Sequence, residues 1–254
     1  MRIPFTKYGI RELVMYAGLA FGLAAFCGIA LSFWVSPFLG LPLAGVFFLL
    51  GLFVMSFFRD PERKLSGDSL DIISPADGTV THVVNNDPGT GEYIEGQAHW
   101  IGIFLSVFNV HVNRSPLDGE VEYLRYKEGK FLDARHPDCG RLNEQQVIGM
   151  KASAAGGARL LVKQISGLIA RHIVCPLEPG NRLMRGERFG MIKFGSRTEL
   201  WIDAKTCDVE WLVKPGQKVK GGLTLIGRVK VKTVPSEAVV QAEVTATPSG
   251  PSAS

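Results

Sequence analysis

The chain has 254 residues and is short of charge. Asp, Glu, Lys and Arg make up 20% of it, against about a quarter in an ordinary soluble domain, and its mean hydropathy is positive at +0.15. Not one charged residue falls between Leu13 and Phe58. That gap excludes a plain soluble enzyme and a disordered chain. Cysteine is scarce as well. Cys27, Cys139, Cys175 and Cys207 show neither metal-ligand spacing nor the pattern of a disulfide frame, so they read as separate thiols of a reducing compartment. The net charge is only +4 and no basic stripe is visible, which argues against a nucleic-acid binder. There is no GxSxG elbow, no P-loop, no HExxH and no dinucleotide-binding glycine pattern. No internal repeat is visible.

What the sequence has in place of charge is a long apolar run. One membrane span takes about 20 residues, so Leu13–Phe58 is too long for one and about right for two. Pro37, Gly40 and Pro42, within Ser36–Pro42, predict a turn between a helix over Leu13–Trp34 and a second over Pro42–Phe58. Arg2, Lys7 and Arg11 precede the run, and Arg59, Arg63 and Lys64 follow it. The positive-inside tendency then puts both flanks in the cytoplasm and the following domain on the cytoplasmic face of the cell membrane. A hairpin that dips into one leaflet fits the same residues. A cleaved signal peptide fits poorly, because the run is too long and lacks a cleavage site. Residues 1–58 hold no polar group suited to catalysis, so their expected task is to keep the domain at the lipid surface.

From Arg63 onward the texture is one of short strands and turns, with no clean 3.6-residue period over twelve residues. Strands are expected at Asp71–Ser74, Gly78–Val84, Trp100–Val107, Gly119–Tyr126 and Gln145–Lys151. Further ones are expected at Arg159–Ile165, Leu168–Cys175, Phe189–Phe194, Glu199–Ile202 and Leu223–Val231. The reading is a mostly β domain over 59–231, barrel- or sandwich-like in the manner of a barrel-sandwich hybrid, behind a helical membrane hairpin at 1–58. The stretch 232–254, rich in Ser, Pro, Ala and Thr, is expected to be disordered. The turns at Ser74–Val80 and Val213–Gly222 resemble those of lipoyl and biotinyl carrier domains, which gives a second reading: a carrier or binding module on a membrane anchor. A carrier presents a Lys at a hairpin tip, flanked by Met. Lys151 follows Met150, but Ala152 stands where the second Met would be and no matching turn surrounds it.

Chemistry is concentrated in three short segments. Met191–Leu200 runs an apolar strand into Gly195-Ser196, and a second strand is expected two residues later. A Gly-Ser pair is ordinarily a tight turn. A strained Gly-Ser bond, however, lets the serine hydroxyl attack the preceding carbonyl, since Gly has no side chain to block it. The resulting ester can eliminate and leave a pyruvoyl group on the new N-terminus. That step needs a base. His111 lies in an apolar run where an ordinary core histidine would be at home, but Asn109, Asn113 and Arg114 crowd it. Asp77, in Ser74-Pro75-Ala76-Asp77-Gly78, is either a turn residue or the carboxylate that orients the imidazole. Arg114 and Arg197 neighbour these motifs and are candidates for holding a substrate phosphate; as ordinary residues they would be solvated surface charges.

Ser74-Pro75-Ala76-Asp77-Gly78, the Phe104–Pro116 segment and Gly190–Arg197 occur in this order and together resemble phosphatidylserine decarboxylase of the short prokaryotic type. The resemblance covers roughly Arg59 to Val231. It implies a proenzyme cut between Gly195 and Ser196 into a larger β and a smaller α chain that stay associated. It implies that Ser196 becomes a covalent pyruvoyl group, with no metal and no pyridoxal phosphate, and that Asp77 and His111 complete a self-processing triad. It implies a phospholipid substrate, phosphatidylserine, converted to phosphatidylethanolamine and CO2. A decarboxylase of an archaeal-type diether serine phospholipid would use the same chemistry. Long-type members carry a second His just before the catalytic one; here Phe108 and Asn109 occupy that region. The sequence leaves homo-oligomerisation open.

Overall fold

The computed structural model describes residues 4–89, 91–168, 172–193 and 195–232. Apart from Lys232, the tail expected to be disordered lies outside the described residues, as do Arg2 and Phe194.

The apolar run folds as two helical stretches. The first joins α1 (Ile10–Phe26), a π-helical segment at Cys27–Leu31 and a last turn, α2 (Ser32–Trp34); the second is α3 (Pro37–Phe57). Spans of 28 residues over Lys7–Trp34 and 21 over Pro37–Phe57 are both long and apolar enough to cross a membrane. Their outward side chains are large and exposed, among them Leu19, Ile29, Phe33, Phe38 and Leu49. The turn is shorter than the sequence suggests. Pro37 begins α3, a position where its missing N–H costs nothing, and Pro42 lies inside the helix. The hairpin is tied at its base, where Thr6 N–H donates to the Phe58 carbonyl at 2.9 Å and Asp60 N–H to the Pro4 carbonyl at 2.7 Å.

The rest is mostly β, as expected. In chain order the strands are β1 (Asp71–Ile73), β2 (Gly78–Asp87), β3 (Ala98–Leu105), β4 (Val112–Arg114), β5 (Gly119–Lys127), β6 (Gln145–Ala152) and β7 (Arg159–Ile165). They continue as β8 (His172–Val174), β9 (Arg182–Leu183), β10 (Arg188–Lys193), β11 (Ser196–Asp203), β12 (Cys207–Trp211), β13 (Lys218–Val219) and β14 (Leu225–Val231); a short helix, α4 (Cys139–Leu142), lies between β5 and β6. Eight strands form a curled half-barrel sheet in the order β13-β2-β3-β11-β7-β6-β5-β9, flanked by two three-stranded sheets, β1-β14-β12 and β4-β10-β8. All ten expected strands have a counterpart, β7 with the expected bounds and the others with shifted ends; residues 169–171 and 194 of two of them lie outside the described residues. Missed were β4, β9, β12 and β13; of these β12 was legible, since Cys207 and Val209 alternate with Asp208 and Glu210.

The main core lies on one face of the large sheet and includes Val80, Ile101, Ile103, Leu160, Val162, Leu200 and Ile202. The other face carries a smaller cluster around Ala98, Val147, Leu161 and Trp201. Because strand side chains alternate, β11 divides cleanly: Ser196, Thr198, Leu200 and Ile202 point to the main core, and Arg197, Glu199 and Trp201 away from it. A third cluster unites the hairpin with the sheet. Leu13, Ala17, Phe57 and Phe58 pack on Met191 of β10, so the hairpin is fastened to the domain.

Candidate active site

Ser196 is the first residue of β11, not part of a turn that ends two residues later. It sits opposite Leu105 in the pairing of β11 with β3, in the middle of the large sheet. Gly195 before it has φ +33°, in the left-handed region open to glycine. Ser196 is fully buried, and its Oγ has no hydrogen-bond partner among the described residues. A buried hydroxyl without a partner is costly, and such groups cluster where chemistry needs them.

The neighbouring pairing sets His111 beside β10, the strand that leads to Ser196. Asn113 is matched to Gly190 in the pairing of β10 with β4, and its Nδ2 donates to Thr198 Oγ1 at 3.0 Å. The chain therefore folds back between 190 and 198. His111, two residues before Asn113, accepts at 3.3 Å through its own carbonyl from the N–H of Ile192, four residues ahead of Ser196 in the chain. Gln164 Nε2 holds Asn113 from the other side at 2.9 Å, so this layer is firmly set. His111 is fully buried. Its Nδ1 lies 2.9 Å from the Asn109 carbonyl. A carbonyl only accepts, so Nδ1 carries the proton and Nε2 keeps a free lone pair. Nε2 is itself buried with no partner among the described residues. Burial pulls the imidazole down to about 4, against the Asn109 hydrogen bond; Arg59 adds to the fall and Asp77 opposes it.

Asp77 lies just ahead of β2, at the same end of the sheet. Thr79 pairs with Phe104, so two strand spacings, roughly 10 Å, separate its position from Ser196, with the end of β3 between. Its carboxylate takes a two-pronged contact from Arg63, at 2.5 Å and 3.0 Å, and accepts from Gly221 N–H at 2.8 Å. The hydrogen bond that orients His111 comes from the Asn109 backbone, while Asp77 acts on the imidazole through its charge. The group that holds the imidazole in place is thus the Asn109 carbonyl.

The two arginines singled out for a phosphate are neither exposed nor unpaired. Arg114 is buried and donates to Asp60 at 2.9 Å and to the Pro61 and Gly186 carbonyls, while Arg188 holds the other side of Asp60. Arg197 is buried on the outer face of β11, paired with Glu199 at 2.9 Å and lying over the Trp100 ring, so it points away from Ser196. A different arginine, in a segment without a motif, shares a cleft with Gly195. A cleft of about 360 Å³ reaches Gly195, lined by Phe104, Ser106, Val107, Asp133, Arg135 and Leu168 among others. Arg135 is exposed, paired with Asp133 at 2.7 Å and placed over the Phe104 ring. Gly167 was missed as well. A Cβ there would overlap the Gly195 carbonyl oxygen, so only glycine lets the backbone come this close to the bond ahead of Ser196. Lys151 stands within β6, matched to Glu120 and Arg159, and is not at a hairpin tip as a carrier would need.

A family model described as phosphatidylserine decarboxylase matches residues 50–227. The chain belongs to the phosphatidylserine decarboxylase family. A phosphatidylserine decarboxylase proenzyme of Carboxydothermus hydrogenoformans is 45% identical over 230 residues, 91% of this chain and all of that protein. One of Symbiobacterium thermophilum is 44% identical over 86% of this chain and 96% of its own, and one of Trichlorobacter lovleyi 48% identical over 73% and 80%. The match to the family starts inside α3, so the end of the hairpin belongs to the shared region. The residues present fit a pyruvoyl group made from Ser196. The precursor hydroxyl is buried and unpartnered, and Gly167 leaves the carbonyl ahead of it uncrowded by any side chain. Among the described residues no group of three or more His, Cys, Asp or Glu side chains could hold a metal ion.

Proposed function

We propose that the chain is a self-processing, pyruvoyl-dependent decarboxylase that acts on the serine head group of phosphatidylserine, giving phosphatidylethanolamine and CO2. What supports this reading is a pair of buried atoms with complementary chemistry and no hydrogen-bond partner among the described residues: the hydroxyl of Ser196 and the lone pair on His111 Nε2. In processing, Ser196 Oγ gives its proton to Nε2 and attacks the Gly195 carbonyl carbon. The Ser196 nitrogen leaves and takes up a proton, so the amide becomes an ester. Loss of the Ser196 Cα proton then expels the Gly195 carboxylate. Water hydrolyses the remaining enamine, releasing ammonia and leaving residue 196 itself as a pyruvoyl group on the Arg197 nitrogen.

The two products have reason to stay together. The smaller chain would begin with β11, which is matched over eight residues to β3 and over six to β7. The pyruvoyl group, once formed, supplies a sink for the electron pair left on the substrate Cα as CO2 departs, the service pyridoxal phosphate gives elsewhere. His111 would hold and return a proton there. The head group would enter the cleft beside Gly195, where Arg135 offers a cation to the phosphate and Phe104, Val107 and Leu168 exclude water. The acyl chains would stay in the bilayer that the hairpin crosses, with Lys7, Arg11, Arg59, Arg63 and Lys64 marking the cytoplasmic side.

The test uses full-length protein in vesicles that contain phosphatidylserine labelled at its carboxyl carbon. Wild type should release labelled CO2, and Ser196→Ala should release none. Release by Ser196→Ala at the wild-type rate would overturn the reading.

A further inference from the structure

The hairpin reaches the reaction centre itself. Phe57, the last residue of α3, is 1% exposed, and its ring centroid lies 4.4 Å from that of the His111 imidazole, the two rings tilted by 35°. Phe58 meets Phe57 edge-on at 5.0 Å, and Leu13 and Ala17 of α1 close the same apolar cluster against Met191. Two polar ties run beside it. Lys193 Nζ, at the end of β10, donates to Glu12 of α1 at 2.6 Å, two residues ahead of Gly195. The Arg59 guanidinium, just past α3, donates to the Phe108 carbonyl at 2.7 Å, three residues ahead of His111. Both segments that carry the reacting groups are therefore gripped by the hairpin. The family match, which starts at residue 50, takes in Phe57.

We infer that the membrane hairpin is a working part of the processing site, with Phe57 a positioning residue whose ring closes the His111 imidazole against water. This rests on the reading of His111 as the processing base. Two charges act on His111, Arg59 after α3 and Asp77, with its partner Arg63, ahead of β2; Lys193 on β10 is paired with Glu12 of α1. None of these charges is removed when Phe57 is shortened, so any change in imidazole basicity then reports the lost wall. An apolar wall disfavours the charged ring; opening it to water lets the ring protonate nearer the ordinary histidine value.

The imidazole titration is followed by NMR in full-length Ser196→Ala protein in phosphatidylcholine nanodiscs, with the His111 signal assigned by its loss in His111→Ala. With Phe57 intact, His111 should stay unprotonated down to about pH 5; in Phe57→Ala its midpoint should rise toward about 6.5. In otherwise wild-type protein, pulse-labelled and then shifted in pH, processing should run equally fast at pH 5.5 and 7.5. In Phe57→Ala it should be about tenfold slower at pH 5.5 than at pH 7.5, the fraction of a ring with midpoint near 6.5 that is still neutral. Phe57→Val should move both readouts in the same direction by less, and it serves should the alanine protein not fold. An unmoved midpoint and a flat rate ratio in the shortened variants would overturn the inference while leaving His111 as base. Normal processing in His111→Ala would instead remove the base, and this inference with it.

Discussion

The two faces of β11 are built from consecutive residues and behave oppositely. On the outer face, Arg197 and Glu199 are buried together, Trp201 Nε1 donates to Glu199 at 3.0 Å, and Lys163 lies over the Trp201 ring. Every charge there has a neighbour of opposite sign or an aromatic face. On the inner face Thr198 is satisfied by Asn113, but one step along Ser196 Oγ is left without a partner. Burial alone therefore does not mark the reactive position, since both faces are buried. What differs is the group left over: on the outer face it is one nitrogen, Arg197 Nε, of a guanidinium otherwise paired with Glu199, while on the inner face it is the whole hydroxyl of Ser196.

That contrast can be attacked from either side. The largest effect should come from His111→Ala. Removing a general base costs about a hundred- to ten-thousandfold, so pulse-labelled protein should persist as one chain on a denaturing gel. Gly167→Ala should slow processing by about a hundredfold, because its Cβ would push on the Gly195 carbonyl and small misplacements of reacting atoms have costs of that order. Asp77→Asn should slow it by about tenfold: the imidazole loses one favourable charge but keeps the Asn109 carbonyl that orients it, and each unit of basicity is a factor of ten. Arg197→Met tests the outer face. It leaves Glu199 buried without its cation and should lower unfolding stability by about 3 kcal/mol in a denaturant titration, with processing of the folded protein within about twofold of wild type.

The smallest effect concerns pH. With His111 held down to about 4 by burial, wild-type processing should be flat between pH 6 and 8. It should fall only as the pH approaches about 4, where the ring protonates and loses its lone pair. A rate that halves near pH 6.5 would show an imidazole open to water.

Much of this was written locally in the chain. The uncharged run marks both helices, Arg159–Ile165 is β7 to the residue, and Gly195-Ser196 stands out because no other segment offers a nucleophile in such a setting. The losses are all non-local. Arg197 looks like a motif neighbour of Ser196, yet alternation along a strand turns consecutive side chains to opposite faces, so adjacency in sequence guaranteed separation in space. Arg135 and Gly167 sit in segments with no motif of their own and matter through what β3 and β11 bring beside them. Phe57 and His111 are far apart in sequence, and nothing in an apolar helix end says which ring it will cover. The hairpin, read from composition as an anchor, proves to be packed into the domain it carries.

The central claim is that the Gly195–Ser196 bond is opened by the Ser196 hydroxyl. The intact mass of purified full-length protein tests it most directly. The account predicts two chains, one ending at Gly195 and one beginning at residue 196 that is lighter by one ammonia than a peptide starting with serine, and a single uncut chain in Ser196→Ala. A wild-type protein that remains one chain of 27.7 kDa while it decarboxylates its lipid, or a Ser196→Ala protein cut at the same bond, would contradict it.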